Sequence, residues 1–536
     1  MERRKNIKIS SKHNLRSTFV TLSVLSLAIT IPNAFALWPD GLVKQRNHFL
    51  AQHQLQHYSP MWSLYDTLFI QSEEAVNISP QNLSTAKKYN FHFQPDVKYP
   101  LIKDIIYHGQ APFTKKITQS SNSGSTSQQP NIIIFFTEGF SSRTSNVYGS
   151  AYTDITPFLN DFAQHADSMV IDNYYNHTAA TYRGLHGQLC SIYPKYGGHG
   201  GWHDNYASLP KTDYFCLSHL FNNYNYETMF LHSQFRDTTF IDEMMQILTF
   251  NQVWTADSLS KKYLSDQVPL RSNAISDQQL FRGLVGLLKD LEKQQNSSDS
   301  NTNKPFFLNI YNFETHAMLD VKEDGKTYGE GDNISLNTIH NLDDAFGKFW
   351  KYFQQSPLAE NTIVIFTADH CHYHEKVYVE AVNKPGSGYQ SIFVDQIPLI
   401  IHDPTRKLPS HFDANYASSI DFAPSLVHYL TLPNHINAFM GRSIFEQSRQ
   451  DQSQTVHVQT KGLASFGRET FLIDKDKIHG GLNFTGSHKE TLSDLRQFVR
   501  HVQWLEGQNR IWDTNLNVVI QQTIGKQQRV AKSWNN

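Results

Sequence analysis

Six runs of consecutive β-branched and aromatic residues constrain this chain more than anything else in it. They are Asn131-Ile-Ile-Ile-Phe-Phe-Thr137 and residues 168–171, 227–231, 305–311, 362–367 and 397–401. A strand with one wet face alternates apolar and polar residues, so short unbroken runs describe strands buried on both faces. Helix signals lie between them. Thr156-Pro157 joins an N-cap residue to proline at the first helical position. Residues 279–293 are amphipathic, and 335–352 places Leu336, Ile339, Leu342, Phe346 and Phe349 on one face. The alternation predicts an α/β fold: a mostly parallel central sheet flanked by helices.

Ligands of such sheets sit beyond the carboxyl ends of the strands, so the residues just after each run are the ones to read for chemistry. The first run leads into Glu138-Gly139 and the run at 362–367 into Asp369-His370. The run at 305–311 leads into Glu314-Thr315-His316, that at 227–231 into His232, and that at 397–401 into His402-Asp403. Carboxylates and imidazoles are thereby predicted to share one edge, as a divalent cation requires. Asp369-His370 is the sharpest local signal, although the dipeptide taken alone reads first as a salt-bridged loop pair.

The first 36 residues read as a signal peptide: Arg3, Arg4, Lys5, Lys8, Lys12 and Arg16, an apolar run at 19–31, then Ala34-Phe35-Ala36. The alternative is an uncleaved anchor, but the apolar run is shorter than the roughly 20 residues that span a bilayer. Export to a periplasm or the medium is the expectation, with no stable membrane span in the mature chain. A net charge of −2 is unlike the basic stripe of a nucleic-acid binder, so no nucleic-acid partner is expected. Export permits disulfides, and Cys190 is paired with Cys216, the alternative being two buried thiols. The domain reading is a signal peptide at 1–36, then a wrapping segment and a Ser/Gly/Gln-rich linker at 37–130. A catalytic domain follows at 131–445, and a small C-terminal α+β subdomain at 446–536.

From about residue 131 to 445 the blocks NIIIFFTEGF, TYRGLHGQLCSIYP, YETMFLH, FETHA, LDDAFGKF and TIVIFTADH stand in an order that resembles the alkaline phosphatase/sulfatase superfamily. Its lipoteichoic-acid-synthase-like, or phosphoglycerol transferase, branch is the most similar. The resemblance implies a divalent metal, Zn²⁺ or Mn²⁺, held by Glu138, Asp369, His370 and the nucleophile. Sulfatases carry a cysteine that matures to formylglycine; here Thr181 occupies that position and no maturation motif surrounds it. Thr178 is a competing nucleophile three residues earlier.

A phospho-Thr181 intermediate is then expected, with transfer to an alcohol or water. His316 aligns with the family's substrate-side histidine. Arg183 reads as a phosphate clamp or a helix-surface ion pair. Cys371, His372 and His374 are candidates for a second metal site or, more simply, for loop residues lining a substrate pocket. Asp343 reads as a helix cap or structural ion-pair residue. Lipoteichoic acid synthases also carry membrane spans and a Trp and an Arg that grip glycerol phosphate, where this chain has Thr239 and Ile241. The expected activity is therefore an exported phosphoryl-ester transferase or phosphodiesterase acting on a phosphodiester or anionic lipid or glycan. The rivals are a sulfate-ester hydrolase and an inactive envelope- or glycan-binding protein.

Overall fold

The computed structural model describes residues 77–524 except 90, 96, 106–111, 116–128, 196–211, 265–272, 297–303, 433–434, 447–453, 461–467, 475–476, 482–487 and 523. The signal-peptide reading, residues 37–76 and most of the polar linker lie outside the described residues.

Eight strands form the central sheet: β1 (Asn131–Thr137), β2 (Ser168–Tyr175), β3 (Glu227–His232), β4 (Gln252–Trp254), β5 (Phe306–Tyr311), β6 (Thr362–Ala368), β7 (Leu399–His402) and β8 (His411–Ser418). Their order across the sheet is β4-β3-β5-β1-β6-β7-β2-β8. All six apolar runs became strands of this sheet. The short β4 and the half-exposed β8, which lack a continuous apolar run, were not foreseen.

Strands β4, β3, β5, β1 and β6 are mutually parallel, and β2 is parallel to β8. Strand β7 runs antiparallel to both of its neighbours. This corrects the expectation for His402-Asp403. Because β7 is reversed, its carboxyl end lies at the far edge, where His402 pairs with Ser168 at the start of β2.

Every residue of β1 is buried. Successive side chains point to opposite faces, and each face is covered. Phe135 meets Phe281 of α4 (Asp277–Gln295) and Phe349 of α5 (Ile334–Phe353), with ring centroids 5.5 and 5.0 Å apart. Phe136, on the other face, meets Phe422 at 5.7 Å. Helices on both faces are why the runs never alternate.

Helix α2 (Pro157–Gln164) starts where Thr156-Pro157 predicts, but Thr156 supplies no side-chain cap. The Asp343 carboxylate of α5 accepts from the amides of Phe158 and Leu159 at 3.0 and 2.7 Å instead. The cap comes from a packed neighbour, which fits the structural reading of Asp343.

The C-terminal region holds a three-stranded antiparallel sheet, β9 (Gln454–Thr460), β10 (Arg468–Asp474) and β11 (Lys477–Gly481), followed by helix α6 (Lys489–Gly507). Asp494 of α6 accepts from Asn82 and Thr85 of α1 (Pro80–Lys88), both at 2.8 Å, and Phe91 stacks on Phe498. The far end of α6 reaches Lys195 and Tyr214. The buried Glu506 carboxylate accepts from the Lys195 amide and the Tyr214 hydroxyl, each at 2.8 Å. Burial raises the Glu506 carboxyl to about 7. An acid with a raised folded-state pKa loses stability as pH rises from its unfolded value to its folded one. Glu506→Gln should therefore match wild type near pH 4 in denaturant unfolding and become the more stable chain as pH approaches 7, by roughly 2–3 kcal/mol at most.

Candidate active site

Strands β1 and β6 pair in parallel register with Thr137 opposite Ala368, so the next residues, Glu138 and Asp369, emerge side by side. Both are fully buried. Gly139 takes a left-handed turn (φ 53°) that costs glycine little. Its amide meets Asp369 Oδ1 at 2.9 Å, and the Phe140 amide meets the His370 carbonyl at 3.0 Å. The loop after β5 fixes Glu138 from the other side. Asn312 Oδ1 accepts from the Glu138 amide at 2.9 Å, and the Thr315 hydroxyl donates to the Glu138 carbonyl at 2.6 Å. Asn312 in turn donates to the buried Asp277 carboxylate at 3.1 Å.

Three ligand atoms converge here. Glu138 Oε1, Asp369 Oδ2 and His370 Nε2 have no hydrogen-bond partner, and each side chain brings a ligand atom within 4.8 Å of those of the other two. His370 Nε2 is 3.4 Å from Glu138 Oε1 and 3.5 Å from Asp369 Oδ2. The remaining atoms of each side chain are occupied. Asp369 Oδ1 accepts two backbone amides, and His370 Nδ1 meets the Cys371 carbonyl at 2.7 Å. A carbonyl only accepts, so Nδ1 carries a proton, and Nε2 is the nitrogen turned toward the two carboxylates, as in a metal-binding imidazole.

Burial drives the Asp369 carboxyl well above its ordinary range, and the neighbouring Glu138 charge adds to this. Burial acts on Glu138 in the same direction. The fields of His370 and His316, with hydrogen bonds from Tyr311 and Thr181, outweigh it and hold Glu138 low. Without a cation the pair keeps a proton because two adjacent carboxylates in a dry site repel. Two oxygens and one imidazole nitrogen, all orphaned and buried, fit a divalent ion. Among the described residues this is the one group of three or more such side chains that could hold a metal.

Thr181 opens helix α3 (Thr181–Cys190) and donates from its hydroxyl to Glu138 Oε2 at 2.7 Å. Its position at a helix N-terminus places backbone dipoles where negative charge is favoured. Gly184, one turn on, lets α3 approach the Asp369 loop. A Cβ there would stand 2.3 Å from the Asp369 carbonyl oxygen. Gln188 donates to the Ala368 carbonyl at 2.9 Å, a second tie between α3 and the end of β6. The helix ends at Cys190, which forms a disulfide with Cys216. Closing a loop of that length stabilises the fold by roughly 3 kcal/mol in the chain-entropy view.

The family profile described as Sulfatase matches residues 130–432, more than half of the chain. The chain belongs to the sulfatase family. Among curated relatives of this sulfatase-family chain, lipoteichoic acid synthase 1 of Bacillus subtilis (strain 168) is 21% identical over 314 residues, covering 56% of this chain and 45% of the relative. The lipoteichoic acid synthase-like YvgJ of the same organism is 23% identical over 317 residues, covering 55% and 46%. The chain thus spans about half the length of these relatives. Two solved structures share the fold. One is a protein of the alkaline phosphatase superfamily from Vibrio parahaemolyticus, with a TM-score of 0.56, 15% identity, and coverage of 81% of this chain and 97% of that one. The other is the lipoteichoic acid synthase LtaP from Listeria monocytogenes, with a TM-score of 0.50, 15% identity, and coverage of 74% and 95%. The resemblance carried by the sequence blocks agrees with these matches.

Around the sulfatase-family centre the other anticipated residues divide. His316 stands close enough for its charge to lower Glu138, and its ring packs 5.8 Å from Tyr373. Arg183 donates from Nη2 to the Lys195 carbonyl at 2.7 Å, toward the C-terminal helix. His374 meets Tyr389 and packs on Phe393.

His372, expected to line a substrate pocket, has both ring nitrogens engaged: Nδ1 meets the Gly139 carbonyl at 2.8 Å and Nε2 meets Glu375 at 3.0 Å. Glu375 also accepts from Ser335 and, at 2.5 Å, from the Met318 amide. Burial pushes the Glu375 carboxyl up, but the bonds from His372 and Ser335 hold it below its usual range. His372 and Glu375 therefore clamp the Glu138 and His316 loops to each other. A second metal site at Cys371, His372 and His374 is not formed among the described residues. The Cys371 thiol is buried, and the two imidazoles turn to different partners.

Tyr311 escaped sequence reasoning, whereas His232 was expected at this edge and only its surroundings were not. Tyr311, the last residue of β5, donates to Glu138 Oε2. Burial, then the charges on Glu138 and Asp369, push its phenol well above the ordinary range, so it remains a donor. His232 lies opposite Tyr311 in the β3–β5 register and is fully buried. Neither of its ring nitrogens has a hydrogen-bond partner, and burial lowers it to about 4. Their signal was position alone: each ends a strand at the edge that carries Glu138.

Because the Cβ of Gly184→Ala would meet backbone rather than a yielding side chain, this variant should lose about 1–3 kcal/mol in denaturant unfolding. It should also bind zinc or manganese more weakly in calorimetry, since α3 can no longer seat against the Asp369 loop.

Proposed function

We propose that this chain is an exported, metal-dependent phosphoryl-ester transferase or phosphodiesterase that works through phospho-Thr181. The observation that carries the reading is the 2.7 Å contact of the Thr181 hydroxyl with Glu138, inside a buried group whose three free ligand atoms fit a cation. Thr181, rather than Thr178, is the threonine at that contact.

Glu138, Asp369 and His370 would hold one Zn²⁺ or Mn²⁺, whose charge lowers the cost of deprotonating a hydroxyl and polarises a phosphoryl oxygen. Thr181 Oγ attacks phosphorus in line as the bond to the leaving oxygen breaks. An acceptor alcohol or water then displaces Thr181 from the opposite side. His316 donates Nδ1–H to the Ala317 carbonyl at 2.9 Å, which leaves Nε2 to serve a phosphoryl oxygen or the leaving group.

The substrate class, a phosphodiester or anionic lipid or glycan, is supported by similarity to lipoteichoic acid synthases. Export is supported by the basic and apolar pattern of residues 1–36 and by the Cys190–Cys216 disulfide. No described helix is long and apolar enough to cross a membrane. A sulfatase reading meets the obstacle that a threonine hydroxyl carries no geminal diol with which to expel sulfate.

Chelation should abolish hydrolysis of an aryl phosphodiester, and zinc or manganese should restore it. Thr181→Ala should lower kcat by at least ~10³-fold. Wild-type protein incubated with candidate phosphodiesters should gain a phosphoryl-sized or head-group-sized mass adduct that Thr181→Ala lacks. Turnover of aryl sulfates faster than aryl phosphodiesters would overturn the proposal.

A further inference from the structure

Glu138 Oε2 accepts two hydroxyls, those of Thr181 and Tyr311, while Oε1 accepts none. That asymmetry has a geometric source. Tyr311 is the carboxyl-terminal residue of β5, the strand paired to β1 on the side away from β6. Its ring is fully buried, so close packing restricts its movement. Asp369 and His370 approach Glu138 from the β6 side; Tyr311 approaches from the β5 side. The carboxylate is held between a hydroxyl pair on one oxygen and the ligand group on the other. One carboxylate oxygen thus joins the phenol to the nucleophile's hydroxyl.

We infer that Tyr311 is a positioning residue for the metal-binding acid and the nucleophile: its hydroxyl holds Glu138 Oε2 beside Thr181, so that Glu138 presents only Oε1 to the cation. This deepens, and rests on, the metal-dependent reading above. With the phenol in place a single Glu138 oxygen is free, and the other fixes Thr181. With a phenylalanine in its place, Oε2 keeps only the Thr181 hydroxyl. Glu138 can then turn both oxygens toward the ion and release Thr181 from its orientation. Hydrogen-bond partners of metal ligands typically change affinity or activity by ~10–100-fold when removed.

The experiment is Tyr311→Phe in the full chain, a change of one oxygen atom that preserves the buried ring. Zinc binding to the metal-free protein is measured by calorimetry, alongside metal-free melting and kcat and KM on an aryl phosphodiester. The expected result is metal-free melting within about a degree of wild type, zinc affinity changed by at least ~10-fold, and kcat lowered by at least ~10-fold with KM little altered. Thr181→Ser in the same assays should keep zinc affinity near wild type, because the hydroxyl that Tyr311 helps to orient is still present.

Unchanged zinc affinity and kcat in Tyr311→Phe, with wild type binding one zinc per chain, would overturn the inference and leave the metal-dependent reading standing. A large fall in metal-free melting would assign the hydroxyl to the fold and also overturn it. Failure of wild type to take up zinc or manganese would remove the metal-dependent reading and the inference together.

Discussion

Two fully buried carboxylates emerge next to each other from adjacent parallel strands. Everything else at this edge of the sheet answers that constraint. The register that sets Thr137 opposite Ala368 makes Glu138 and Asp369 neighbours, and full burial makes their mutual charge costly. A proton or a cation must accompany them. His370 directs its Nε2 at the same place, and α3 delivers a hydroxyl and the positive end of a helix.

The surroundings show how such a group is kept rigid. Its backbone is tied by Asn312 and Thr315 on one side and by the amides of Gly139 and Phe140 on the other. His372 and Glu375 link the Glu138 loop to the loop carrying His316. His372, two residues past His370, reads from sequence as a residue lining a substrate pocket. Its nitrogens are spent on a carbonyl and a carboxylate because two loops pass within reach of one imidazole.

Much of the site was legible in linear order, since in a parallel sheet every strand of the set delivers its next residues to one edge. Glu138, Asp369, His370 and Thr181 could be singled out in that way and through the resemblance of the blocks that contain them. The rule failed where its premise failed. Strand β7 is antiparallel, so His402-Asp403 left the edge, and nothing in an apolar run of five residues encodes its direction. Tyr311 looked like the aromatic end of a buried strand because its ring is one; only its hydroxyl takes part, and the hydroxyl's partner lies on another strand. The cap of α2 likewise came from Asp343, far along the chain, in place of the local Thr156.

The amino-acid sequence by itself determined the layered α/β architecture, because unbroken apolar runs between amphipathic helices can be buried in few other ways. It also determined which acids, imidazole and hydroxyl are present to bind and react. Tertiary structure alone decided which atoms of those groups stay free. That outcome depends on strand register, on the close approach that Gly184 allows, and on partners such as Tyr311, Asn312 and Glu375 from separate segments. Hydrogen bonds form over about 3 Å, and no local pattern can specify a distance that short between residues brought together only by folding.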